Sequence, residues 1–150
     1  MKPRITALAA TCLLVIMAPI AAETKGSYFA VIVSDIRTSA EWYKSTFGLA
    51  SGAPLSEPGR FTIVNLQKQG IFVELLEIEA AGERPETRVH GPFKVGVLVS
   101  NLSEFVAQLP DAIPEPKVIL DTRNSLRLIQ LHDPDGNTIQ IMEILDSSTE

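Results

Sequence analysis

Apolar and polar positions alternate through residues 28–33, with Phe29, Val31 and Val33 on one side and Tyr28, Ala30 and Ile32 on the other, which predicts a strand. The period then lengthens. Ala40, Tyr43 and Phe47 share one face of a helix that Thr38 and Glu41 open as a capping box and Gly48 stops. Strand patterning returns at 61–66 and 71–78 around a Gln-Lys-Gln-Gly turn, and a further strand is expected somewhere in 50–57. After a charged, proline-containing stretch at 79–92, the pattern starts again with a strand at 94–99. A short helix near 103–109 follows, with Leu102, Phe105, Val106 and Leu109 at core spacing and Pro110 at its end. Strands at 117–120, 126–131 and 138–145 complete the chain, the last two joined by His132-Asp133-Pro134-Asp135-Gly136-Asn137.

The second series repeats the first. Val31-Ile32-Val33-Ser34-Asp35-Ile36 recurs as Val97-Leu98-Val99-Ser100-Asn101-Leu102, and Val73-Glu74-Leu75-Leu76-Glu77-Ile78 as Ile139-Gln140-Ile141-Met142-Glu143-Ile144, both at an offset of 66. Two matches at one offset argue for two copies of one βαβββ unit. The fold class is therefore α+β, with module 1 at about 27–79, a linker at about 80–92 and module 2 at about 93–146.

Residues 1–22 break this pattern. Lys2 and Arg4 precede an uncharged apolar run from Ile5 to Ile20, and small residues end at Ala21-Ala22, the layout of a secretory signal peptide. The run of 16 residues is short for a membrane span of ~20; a retained N-terminal anchor is the alternative. Cleavage would leave a single domain at 23–150 that is periplasmic or secreted. It would also remove Cys12, the only cysteine, and with it any disulfide or thiolate chemistry. The whole chain carries a net charge of −5; without the segment, eleven basic face eighteen acidic side chains, net −7. Nucleic acid is excluded as a partner by bulk electrostatics, and no membrane contact is expected beyond the export signal.

Residues 33–49 (V-S-D-I-R-T-S-A-E-W-Y-K-S-T-F-G-L) and 133–143 (D-P-D-G-N-T-I-Q-I-M-E) make the chain resemble the vicinal oxygen chelate superfamily, which groups glyoxalase I, bleomycin-resistance proteins and extradiol dioxygenases. The resemblance spans about 27–146. It implies two modules whose curved mixed sheets enclose a cleft, and often a homodimer, sometimes with exchanged modules. It also implies four inward positions that hold a metal in many members. By motif these fall on Tyr28 and Lys94 in the first strands and on Glu74 and Gln140 in the last, each pair again 66 apart.

That set is poor in metal chemistry. Glyoxalase-type and dioxygenase sites need several imidazole and carboxylate ligands, and only Glu74 is one. Gln140 offers a weak neutral oxygen, and the Lys94 ammonium has donors only and repels a cation. His90 and His132 stand off these strands, in the linker and before the Asp-Pro turn, and read as exposed loop histidines. Neither a metal nor another cofactor is expected. Lys94 instead takes the ion's place electrostatically, pairing with Glu74, while Tyr28 and Gln140 hydrogen-bond a small organic ligand; the alternative is a purely structural ion pair. Trp42 and Tyr43 read as packing residues. Arg60, Arg123 and Arg127 read as solvated surface charges, and Asp133, Asp135 and Gly136 as servants of their turn.

Three functions compete. A metal-independent small-molecule binder needs a concave, largely apolar site with few polar groups, which this chain can form. A metal-free acid–base enzyme, an isomerase or lyase on a small carbonyl compound, would use Lys94, Glu74 and Tyr28 as its catalytic residues. A glyoxalase I-like, metal-dependent lyase fits the donor set worst. The binder is the expectation carried forward.

Overall fold

A computed structural model describes residues 28–83, 85, 87 and 94–145. The segment 1–22, Cys12, His90 and most of the linker lie outside the described residues. Module 1 runs β1 (Phe29–Ile32), α1 (Ile36–Phe47), β2 (Ala50–Ser51), β3 (Leu55–Glu57), β4 (Phe61–Lys68) and β5 (Ile71–Ile78). Module 2 runs β6 (Val95–Leu98), α2 (Leu102–Ala107), β7 (Ile119–Asp121), β8 (Leu126–His132) and β9 (Thr138–Ile144). The two sheets have the orders β1-β5-β4-β2, with β3 also on β4, and β6-β9-β8-β7. In both, the first strand lies parallel to the last and the rest are antiparallel.

α1 starts two residues before the expected capping box. Asp35, not Thr38, is its N-cap: the backbone there is extended and the carboxylate accepts Thr38 N–H at 2.8 Å. Those hydrogen bonds hold the Asp35 carboxyl below its usual range. Asn101 caps α2 in the same way, accepting Glu104 N–H at 3.0 Å. Gly48 ends α1 in the left-handed region, φ 64°, where a side chain would be strained, and Lys68 Nζ donates to the freed Phe47 carbonyl. The strand expected within 50–57 is two short pieces, both solvent-exposed throughout, so no alternation of burial marks them. The strand expected at 117–120 is Ile119–Asp121, ended where the Asp121 carboxylate accepts Arg123 and Asn124 N–H.

One face of each sheet builds the core. Leu66, Val73 and Leu75 from module 1 and Ile129, Ile139 and Ile141 from module 2 are buried with Tyr43, Phe47 and Leu102 in a single cluster. Phe47 and Phe105, one from each helix, meet across it at 5.9 Å. Two further ties cross between the modules. Tyr43 Oη donates to Asp133 Oδ2 at 3.0 Å, and Ser34 N–H donates to both Asp135 oxygens at 3.2 Å. The turn residues Asp133 and Asp135 thus do more than serve their turn: they fasten module 2 to α1 and to the residue just before its cap. Desolvation and the neighbouring Asp133 carboxylate push the Tyr43 phenol well above its usual range.

Candidate functional site

Because strand side chains alternate, the residues between the core positions form a second, open face on each sheet, turned away from the shared core. Register divides that face into rows. In module 1 the rows read Tyr28, Phe72 and Gln67; Ala30, Glu74 and Asn65; Ile32, Leu76, Ile63 and Leu55; then Ile78, Phe61 and Glu57. In module 2 they read Lys94, Thr138 and His132; Gly96, Gln140 and Gln130; Leu98, Met142, Leu128 and Ile119; then Ile144, Leu126 and Asp121. The rows match one for one. The two middle strands, β4 and β8, keep an offset of 65 rather than 66, because Gln69-Gly70 turns the first hairpin and the second needs one residue more, Pro134-Asp135-Gly136.

All four expected site residues stand on these open faces. Tyr28 is 67% exposed and meets Phe72 edge-on at 5.8 Å, while Glu74 is half-buried level with Ala30 and Asn65. Lys94 is exposed, and the half-buried Gln140 directs its amide at Met142 Sδ, 2.6 Å away. Tyr28 and Glu74 share the open face of one sheet in successive rows, and Lys94 and Gln140 that of the other. The structure does not join the pairs within one chain: among the described residues the ion pairs are Arg60–Glu57 and Arg127–Glu143, and Lys94 does not reach Glu74.

Sequence reasoning missed the middle strands of this face. Asn65 and Gln67 on β4 and Gln130 on β8 line it beside the four expected residues, and so does His132, which is the last residue of β8 rather than a loop histidine and lies 3.3 Å from Oγ1 of Thr138 at the start of β9. Alternation within 126–131 could have placed Gln130, but the face of each middle strand follows only from its pairing. Arg127 is no free surface charge either: its Nε donates to Glu143 at 2.6 Å. Ala30 and Gly96 stand at equivalent places on the edge strands β1 and β6; a methyl group on Gly96 would come within 3.2 Å of Met142 Cε.

A groove of about 340 Å³ lies between the β4–β5 hairpin and α2, lined by Phe47 and Phe105 and, of the open-face residues, by Leu98. None of the four expected residues lines it. Its rim is already engaged, Lys68 with the Phe47 carbonyl and Gln108 with Glu104.

The donor set does not fit a divalent metal. Glu74 is its one good ligand, Gln140 offers a weak neutral oxygen, and the Lys94 ammonium has donors only. A cation placed at Gln140 would meet the repulsion of Lys94 on the neighbouring strand.

No family model and no curated protein matches the chain. Solved structures do. A glyoxalase family protein from Enterococcus faecalis superposes with a TM-score of 0.68 at 18% identity, over 77% of this chain and 94% of that one. A glyoxylase/bleomycin resistance protein/dioxygenase domain from Frankia sp. EAN1pec gives 0.64 at 16% identity, over 84% and 96%. The genomically encoded fosfomycin resistance protein FosX from Listeria monocytogenes gives 0.58 at 14%, over 81% and 94%. The chain has the fold of these proteins, the paired-module α+β fold of the vicinal oxygen chelate superfamily.

Proposed function

We propose that this is an exported, metal-independent binder of a small organic molecule that works as a homodimer. The observation that carries the reading is the placement of Lys94 and Glu74. Both occupy open-face positions at the polar end of their sheets, one a cation and one an anion, and neither meets the other in its own chain. A second copy that lays its module 2 face towards module 1 would bring the charges together and enclose the space between. In that arrangement Tyr28 and Gln140 supply hydrogen bonds to the ligand, and Lys94 supplies the positive charge that a metal supplies in other proteins of this fold. The names of two structural relatives include bleomycin resistance and fosfomycin resistance, in keeping with a site that holds an organic molecule.

A ligand screen by thermal shift on wild type, Lys94→Met and Glu74→Gln tests this. Ligands that raise the wild-type Tm should lose most of their effect in both variants, while the ligand-free Tm changes little. A Lys94→Met protein that is more stable than wild type and binds the same ligands equally well would assign the charges a structural role and contradict the reading.

A further inference from the structure

The two open faces share a division that the four site residues alone do not reveal. The first two rows carry the hydrogen-bonding side chains of both faces: Gln67, Glu74 and Asn65 beside the Tyr28–Phe72 ring pair in module 1, and Thr138, His132, Gln140 and Gln130 in module 2. The third row is apolar in both, Ile32, Leu76 and Ile63 in module 1 and Leu98, Met142 and Leu128 in module 2; the fourth continues it with Ile78 and Phe61 and with Ile144 and Leu126, and ends at the outer strand on Glu57 and Asp121, whose carboxylates are engaged by Arg60 and by the Arg123 and Asn124 N–H groups. These side chains are not core. Ile32 is 56% exposed, and Leu98 and Ile144 are each 63% exposed. An apolar strip two rows deep left open to water on a sheet whose other face already packs the core marks a binding surface. It begins where the hydrogen-bonding groups end, and it does so at the same row in both modules.

We propose that the site takes an amphipathic small molecule, with a hydrogen-bonding head of no net charge against Glu74, Lys94 and Gln140 and a hydrocarbon or ring body along the third and fourth rows. This rests on the small-molecule reading above and names its ligand class. The head is neutral overall because the polar rows offer one carboxylate and one ammonium, so a net charge of either sign gains one partner and is repelled by the other. The body is apolar because no polar side chain interrupts the third row in either module. Met142, unbranched and adaptable, lies in that row with its methyl over Gly96, and can shift to fit bodies of different shape.

The test uses N-phenyl-1-naphthylamine, a neutral fluorescent amphiphile, on the protein purified after expression of the full chain. Bound probe is competed with octyl glucoside below its micelle concentration and, separately, with glucose. Octyl glucoside should displace the probe saturably and glucose should not. Ile32→Asp and Leu98→Asp should each weaken probe binding at least tenfold with the Tm held, because neither side chain is in the core. Gln140→Ala should weaken octyl glucoside several-fold more than it weakens the probe. Failure of octyl glucoside to compete in the wild type, with sedimentation showing that Ile32→Asp only dissociates the dimer, would assign the apolar rows to a subunit contact and overturn the proposal. If hydrophilic solutes bind in a Lys94-dependent way and amphiphiles do not, the ligand class falls and the small-molecule reading stands. If no solute of either kind binds, both fall.

Discussion

The Glu143 carboxylate accepts the backbone N–H of Leu102, the first residue of α2, at 2.7 Å, and module 1 repeats the arrangement with Glu77 and the N–H of Ile36 at 2.9 Å. Each glutamate reaches from the last strand of its module to the positive end of that module's helix, where backbone donors are otherwise unpaired. Glu143 also takes Arg127 Nε at 2.6 Å, and these two contacts, the arginine's first, hold its carboxyl below the usual range. Glu143→Gln is therefore expected to lower the Tm at neutral pH. A depressed carboxylate stabilises the fold above its ordinary value of 4.5, and that contribution is lost as pH falls through the lower folded value. The gap in Tm between wild type and variant should close as acid is added below that point. A gap independent of pH would contradict the role given to the carboxylate.

The phenol of Tyr43 is fully buried and donates to Asp133, a residue 90 positions away. Tyr43→Phe keeps the ring packing and removes the hydrogen bond, for an expected loss of about 1–3 kcal/mol. A raised phenol favours the folded state below the ordinary value near 10, and that advantage is lost as pH rises towards the folded value. Alkaline titration at 295 nm should show tyrosinate absorbance that appears only on unfolding and is missing from Tyr43→Phe.

Leu75 and Ile32 separate the two faces of one sheet. Leu75 is fully buried, and Leu75→Ala should cost about 2–5 kcal/mol through lost burial and the cavity left behind. Ile32→Ala, on the open face, should cost ~0.5 kcal/mol or less. Equilibrium denaturation in urea measures both, and similar losses would mean that the open face is packed in solution.

Much of this architecture was legible because burial alternates along most of the strands. The 66-residue repeat marks both modules, and Val73, Leu75, Ile139 and Ile141 fall where it places them. The pieces that escaped lack such a signal. β2 and β3 are exposed on both sides, so 50–57 carried no period. Asp35 and Thr38 both suit a helix cap, and only the extended backbone at Asp35 decides between them. The tie from Tyr43 to Asp133 crosses between modules, beyond the reach of local pattern. The candidate site was half legible: Tyr28, Glu74, Lys94 and Gln140 came from the motifs, while Asn65, Gln130 and His132 needed the register of middle strands that run one residue out of step with the repeat.

Lys94 is proposed to take the place of a metal at this site. The most direct test is metal content, together with thermal shift of the stripped protein re-exposed to nickel, zinc, manganese and ferrous iron. On that proposal, no stoichiometric metal and no shift with any of the four ions is expected. Stoichiometric binding that Glu74→Gln abolishes would contradict it and return the protein to the metal-dependent lyases or oxygenases of this fold.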